Sequence, residues 1–414
     1  MHILEIPSFF PPYGGEFCIE QAKALRDQGH EVRILACVQL GMTVTPKLYF
    51  TVRCGRWWET IEGVEVYRSF MRGCPRNTKY NQQHWCKVVM SMYDDYVAQY
   101  GTPDALHAHC CQWGGVAASM ISDKSGVPYY ITEHLSAILF EEGFGKGWTR
   151  DVWAKDLLKA TYEEASCVIP VSEELTEGLT PLFGRNYKYK VVSNIIDVDF
   201  FSFRNRTPFN GRPFRYCCLA RADIYGKGYD VLAEAFKDID NAELHIAGRN
   251  TQGEAMKQLF CGFNNVYLHG ELNKSGVREL LYQCDALVLP SRSEAQPLVV
   301  LEAMSTGIPV VSTECVPMME RVEGACIITP IGNAKAFTEG MKTIRNIAPS
   351  TRFHDAVCSI ASPTTVAKEI TETITIKETI KETETETITE TITETITETI
   401  MITKTITKTI TDKH

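Results

Sequence analysis

The sequence predicts an α/β protein of two doubly wound domains in tandem, followed by a low-complexity C-terminal tail. Three observations carry this. Short apolar runs of strand length alternate with helical patterns through residues 1–190. The same rhythm restarts after Asn205-Arg206-Thr207-Pro208-Phe209-Asn210-Gly211-Arg212-Pro213, a turn-rich stretch suited to an interdomain linker. From about Thr371 the chain is almost entirely Thr, Ile, Glu and Lys.

The elements follow in order. Residues 2–6 read as a strand, 16–28 as a helix, and 31–37 as a second strand opening after Gly29-His30. Residues 105–108, 129–132 and 167–171 are further strands without a polar alternation, the pattern of a parallel sheet covered on both faces. Beyond the linker, strands are expected over 215–219, 243–247, 286–289 and 309–312, and helices over 230–236, 274–282 and 297–305. Sheets of this kind bind ligands at the carboxyl ends of their strands. The resulting division is 1–205, 206–361, a crossover helix over 362–374, and a tail over 375–414. The tail's Ile388, Ile392, Ile396 and Ile400 recur every four residues. With no aromatic residue it cannot build a core of its own, and it is expected to lie outside the fold.

Composition narrows the function. The 414 residues are 44% hydrophobic, enough for two cores. A net charge of −9 argues against broad attraction to nucleic acid. The 15 cysteines show no CxxC and no Cys/His spacing that would cage zinc, so they read as reduced, mostly buried thiols. Met1-His2-Ile3-Leu4-Glu5-Ile6 lacks a basic, long-apolar leader pattern, and no stretch approaches about 18 apolar residues. The expected location is the cytoplasm. Residues 47–90 hold Trp57-Trp58, Arg68, Met71, Arg72, Arg76, Lys79, Trp85 and Lys87. This stretch could rest on anionic lipid, giving peripheral contact at the inner face of the plasma membrane, or be a loop packing its aromatics on the core.

The chemistry concentrates in the second domain. After the strand 286–289, a short loop presents Glu294, and Pro297 suits the first position of a helix. Free amides near Leu298 and Val299, with the helix dipole, make an anion site. Glu294 and Glu302 flank it, and carboxylates there suit ligand hydroxyls rather than phosphate. Arg221 closes a strand, and Lys227-Gly228 precedes a helix, so a bidentate fork and a point charge could clamp a diphosphate.

These residues resemble the retaining, nucleotide-sugar-dependent glycosyltransferases of family 4, with two Rossmann-like domains facing a cleft in the GT-B fold. Glu294 and Glu302 match that family's E-x7-E signature, and Arg221 with Lys227 its donor clamp. Phe10-Pro11-Pro12-Tyr13-Gly14-Gly15-Glu16 matches its glycine loop. Leu106-His107-Ala108-His109 and Thr132-Glu133-His134 match its histidine-bearing strand ends. Val171-Ser172 and Asn194-Ile195-Ile196-Asp197 match later landmarks. Departures are Ala220 for the clamp glycine, Ser193-Asn194-Ile195 for Pro-Asn-Gly, and Val316-Pro317 for a glycine pair.

The resemblance implies transfer of a hexosyl group from a UDP- or GDP-sugar to a saccharide or lipid-linked saccharide, in cell-surface polysaccharide or glycoconjugate synthesis. It implies catalytic roles for His134, Glu294, Arg221 and Lys227. Donor binding falls to Gly14, Gly15, Arg221, Lys227, Glu294, Ala295, Gln296, Pro297, Leu298, Val299 and Glu302. His107 and His109 read rather as packed strand-end residues. Fixed cations at the diphosphate could replace a divalent metal, so no metal and no cofactor are expected, the nucleotide sugar being substrate. Alternatives on the same scaffold are a sugar-nucleotide epimerase or hydrolase, or a non-catalytic sugar-nucleotide-binding protein.

Overall fold

The computed structural model describes residues 1–42, 46–74, 78–135, 152–206, 209, 211–317, 322 and 324–375. Met1–Glu369 form one compact unit, and the rest of the chain a second. The Thr/Ile/Glu repeat beyond residue 375 lies outside the described residues, and a helix runs over 363–375.

Two parallel α/β layers make up the first unit. Strands β1 (His2–Pro7), β2 (Glu31–Leu40), β3 (Gly55–Ile61), β4 (Val64–Arg72), β5 (Ala105–His109), β6 (Tyr129–Glu133) and β7 (Cys167–Pro170) form one sheet, ordered β3-β4-β2-β1-β5-β6-β7. Only β3 runs antiparallel, paired with β4. The second sheet contains β8 (Phe214–Leu219), β9 (Ala242–Ala247), β10 (Val266–Gly270), β11 (Ala286–Leu289), β12 (Val310–Thr313) and β13 (Cys326–Thr329), ordered β10-β9-β8-β11-β12-β13. Central strands β5, β6 and β11 are buried along their whole length, which explains their continuous apolar reading. Edge strand β10 alternates exposed and covered residues and escaped it.

The described residues of the stretch 47–90 are built into regular elements, and its tryptophans pack within the fold. The stretch forms the β3–β4 hairpin and the start of the helix Thr78–Tyr100. Trp58 stacks on Tyr67 at 4.8 Å, and buried Trp85 donates from Nε1 to the Cys37 carbonyl at 2.9 Å. Arg68 is buried against Glu59 and donates to the Pro11 carbonyl, while Arg72 donates to the Tyr49 and Val52 carbonyls. Lys87 stays exposed, and Arg76 lies outside the described residues.

The chain changes core earlier than the turn-rich stretch suggests. Ile196, Val198 and Phe201 already pack in the core of the second sheet, and the Ile196 amide donates to the Ala361 carbonyl at 2.8 Å. Arg206 is anchored to the carbonyls of Leu281, Cys284 and Thr306, and Arg212 holds Asp285 through both carboxylate oxygens. The expected boundary at 205/206 therefore moves back to Ser193–Ile195. Turn residues mark where a chain bends, whereas apolar burial decides which core owns it. Residues of the last helix reach the first layer: Gln28 donates to the Thr364 carbonyl at 3.1 Å. No disulfide joins any of the fifteen cysteines, all of which are among the described residues.

Candidate active site

A cleft of about 660 Å³ opens where the strands end, lined from the first layer by His134 and from the second by Leu219–Arg221, Asp223, Tyr225–Lys227, Leu289 and Ser293–Val299. Parallel strands place their carboxyl ends on one edge, so the loops after β6, β8 and β11 meet there.

The second-layer wall is built by close approach of two loops. Gly228 has φ +68, and a Cβ there would lie 1.9 Å from the Pro290 carbonyl oxygen. Only glycine lets the turn before the helix Tyr229–Phe236 lie against the end of β11. Arg292 clamps the same two loops, donating to both carboxylate oxygens of Asp230 at 2.8 and 2.7 Å and stacking on Tyr225. That contact brings Lys227 Nζ to 2.7 Å from Glu294 Oε1, which also accepts from the Ser291 hydroxyl at 2.7 Å. Ser291 is held in turn by Thr313, whose hydroxyl donates to its carbonyl at 2.6 Å. Arg221 is half-exposed, with Asp223 at 3.2 Å. Both expected clamp cations thus rest on carboxylates.

Pro297 is the residue before the helix Leu298–Ser305, not its first, because its ψ of 115° is extended. The amides of Leu298 and Val299 open the helix at the cleft, without a carbonyl one turn back in the helix to bond. Glu302 does not line the cleft. It sits one turn past Leu298 on the same face, half-buried, and burial pushes its carboxyl up to about 7, with Lys274 pulling the other way.

The first-layer wall is a relay of hydrogen bonds. His134 Nδ1 lies 3.0 Å from Asn194 Oδ1, and its Nε2 lies 3.3 Å from His109 Nδ1. Burial first, then the neighbouring His109, holds the His134 imidazole well below the ordinary histidine range, so it is neutral at pH 7. The Asn194 amide donates to Gln296 Oε1 at 2.7 Å, Gln296 Nε2 donates to Ser193 Oγ at 3.0 Å, and the Ser172 hydroxyl donates to the Ala295 carbonyl at 3.0 Å. The landmarks Ser172, Ser193 and Asn194 thereby latch the 294–297 loop to the first layer. Gly14 and Gly15 do not line the cleft. Gly15, at φ +94, starts the helix Glu16–Asp27, and a Cβ there would meet the Phe9 carbonyl at 2.4 Å. Phe17, in the first turn of that helix, packs its ring 4.1 Å from that of His134.

Val316, which stands where the resembled family has a glycine, is buried in the second core. Among the residues that sequence reading did not single out, Ser291 supports Glu294, and Asp223, Tyr225 and Ser293 line the cleft. Asp223 and Tyr225 sit between Arg221 and Lys227, a spacing that could have pointed to them.

Residues 15–194 match the model of the glycosyl transferase 4-like domain, and residues 213–346 that of the glycosyl transferases group 1. The chain belongs to the group 1 glycosyltransferases. TuaC of Bacillus subtilis, provisionally assigned as a teichuronic acid biosynthesis glycosyltransferase, is 26% identical over 76% of this chain and 81% of that protein. A Campylobacter jejuni N,N'-diacetylbacillosaminyl-diphospho-undecaprenol α-1,3-N-acetylgalactosaminyltransferase is 27% identical over 48% of this chain and 56% of its own length. Among solved structures, sucrose-phosphate synthase from Thermosynechococcus elongatus superposes with a TM-score of 0.72 at 16% identity, covering 90% of this chain and 98% of that one. Anabaena HepE in complex with UDP superposes with a TM-score of 0.67 at 17% identity, covering 91% and 100%. The glycosyltransferase has the GT-B fold, and among its described residues no helix is long and apolar enough to cross a membrane.

Proposed function

We propose that this glycosyltransferase moves a hexosyl group, with retention of configuration, from a nucleotide-diphosphate sugar to a saccharide or lipid-linked saccharide in polysaccharide or glycoconjugate synthesis. The observation that carries the reading is the convergence of Arg221, Lys227, Glu294 and the first amides of the helix Leu298–Ser305 on one cleft. The relatives named for teichuronic acid synthesis and for transfer to a sugar carried on a lipid diphosphate support the acceptor class, and the neighbour that binds UDP supports the donor class.

Cleavage of the donor makes the anomeric carbon oxocarbenium-like and leaves negative charge on the diphosphate. Lys227, held at the cleft by Glu294, needs only a small displacement to meet that charge, and Arg221 can exchange Asp223 for a phosphate oxygen. Preorganised donors of this kind contribute most of the stabilisation in such sites. They also take over the charge neutralisation that a divalent ion supplies elsewhere, so no metal is needed at the diphosphate. Glu294, released from Lys227, can accept from sugar hydroxyls, and Glu302 is assigned the ribose hydroxyls. His134 has both ring nitrogens engaged and so forms the wall of the sugar subsite rather than a proton donor to it. The leaving phosphate accepts the proton of the acceptor hydroxyl.

The test is a panel of UDP- and GDP-sugars with saccharide and lipid-diphosphate acceptors, read by mass spectrometry and by NMR of the new anomeric centre. Nucleotide release that requires acceptor, with a retained configuration, supports the reading. Release without acceptor indicates a hydrolase, altered donor sugar without release an epimerase, and binding without turnover a non-catalytic protein.

A further inference from the structure

Beneath His134 lies a cluster that the transfer reaction does not use. Glu5 on β1 and His107 on β5 are register partners, as are Pro7 and His109. Side chains alternate along a strand, so Glu5, His107 and His109 share one face of the sheet. All three are buried, at 0%, 0% and 1% exposure.

Their inner atoms have no hydrogen-bond partner among the described residues. Glu5 Oε1 lies 3.8 Å from His107 Nδ1, and Glu5 Oε2 lies 3.4 Å from His109 Nε2. Neither contact makes a hydrogen bond, so the carboxylate faces both rings without bonding either. A tetrahedral ion held at 2.0–2.2 Å spaces its ligands about 3.3–3.6 Å apart, close to what is seen. The protein ligands would be one carboxylate oxygen and one nitrogen from each ring. The ligand atoms of the three residues all lie within 4.8 Å of one another. Glu133, equally buried in the next strand but one, shows how this sheet satisfies a carboxylate without an ion. It accepts from the amides of Cys111, His134 and Leu135 and from the Tyr162 hydroxyl. Glu5 has no such set.

The outer nitrogens complete the pattern. His107 Nε2 lies 2.7 Å from Thr132 Oγ1, and His109 Nδ1 lies 3.3 Å from His134 Nε2. Each ring thus turns one nitrogen inward and engages the other, the arrangement that orients metal-bound histidines.

We propose that Glu5, His107 and His109 hold a divalent first-row transition ion, with zinc the best match to two imidazoles and a carboxylate and a water in the fourth position. The ion is a positioning element. Bound to His109 Nε2, it leaves the proton on His109 Nδ1, which then donates to His134 Nε2. His134 must in turn carry its own proton on Nδ1, facing Asn194. The proton order along the cleft wall is set from below.

The experiment loads the full chain with Zn2+, removes excess by gel filtration and measures zinc per chain by mass spectrometry. The zinc K-edge absorption of the wild type is recorded alongside. One retained ion per chain with a nitrogen and oxygen shell is expected, lost in Glu5→Gln and His109→Gln. It should survive in His245→Gln, which breaks the other histidine pair, His245 and His269 at 3.0 Å. A wild type that retains no zinc overturns the proposal. So does a sulfur shell, loss of the ion in His245→Gln, or retention in both Glu5→Gln and His109→Gln. If those two variants precipitate, the wild-type stoichiometry and ligand shell decide.

Discussion

Raising the pH from 6 to 8 should tighten binding of the sugar nucleotide about tenfold, through Glu302. Its carboxyl titrates near 7 because burial disfavours the charged form. A group with that midpoint is ~9% ionised at pH 6 and ~91% at pH 8. Ribose hydroxyls donate far better to a carboxylate than to a neutral acid, so only the ionised form binds well. The neutral His134 does not titrate in this window. Calorimetric titration of the sugar nucleotide at constant ionic strength measures the effect. Free nucleoside diphosphate is avoided because its terminal phosphate loses a proton in the same range. Glu302→Gln should bind with a flat profile. An equal pH slope in wild type and Glu302→Gln, or no slope in wild type, would refute the assignment of Glu302 to ribose. The same shift affects stability. The raised pKa means the folded chain keeps a proton that the unfolded chain releases near 4.5. Its stabilising effect is full below 4.5 and lost as pH rises through about 7. Relative to Glu302→Gln, the wild type should lose up to about 3 kcal/mol between pH 5 and pH 8, read from thermal melts.

Lys227→Ala and Glu294→Gln should each lower turnover about 100-fold or more while leaving the melting temperature nearly unchanged, since both side chains face the cleft; near-normal turnover in both would contradict the site. Gly15→Val should cost about 1–3 kcal/mol in stability as well as turnover, because a Cβ at that φ must displace the Phe9 carbonyl. A melting curve that matches wild type would show the loop is not so constrained. Gln296→Ala should free the 294–297 loop from Ser193 and Asn194 and expand the ligand-free particle in small-angle scattering, with motion about Ser193–Ile195 rather than the anchored 205–212 stretch. Unchanged scattering would remove the latch. A chain ending after Thr375 should stay soluble and active; loss of either would assign the repeat a structural part.

The sequence by itself determined the α/β class with two parallel sheets and the order of the buried strands along the chain, and it singled out Lys227 and Glu294, which line the cleft. Each of these is written in a few neighbouring residues: an apolar run for β5 or β11, a Lys-Gly before a helix, a Glu in the loop after a buried strand. Local periodicity specifies local structure because burial on a sheet or helix repeats every two or about 3.6 residues. The same logic explains the misses. The β3–β4 hairpin hid its strands among charges that pair across the hairpin or with the chain beside it, as Arg68 does with Glu59. The change of core at Ile196 depended on which sheet its side chain met, which no nearby turn residue encodes.

What only the tertiary structure decided is which distant residues share a point in space. Lys227 rests on Glu294 because Gly228 lets two loops touch, and Glu5 faces His107 because β1 lies beside β5 in one register. His-x-His in one strand and a lone Glu in another are each unremarkable along the chain. A shift of one residue in the pairing would turn Glu5 to the opposite face and dissolve the cluster. That register is set by the packing of the whole sheet, so the cluster exists only once the fold does.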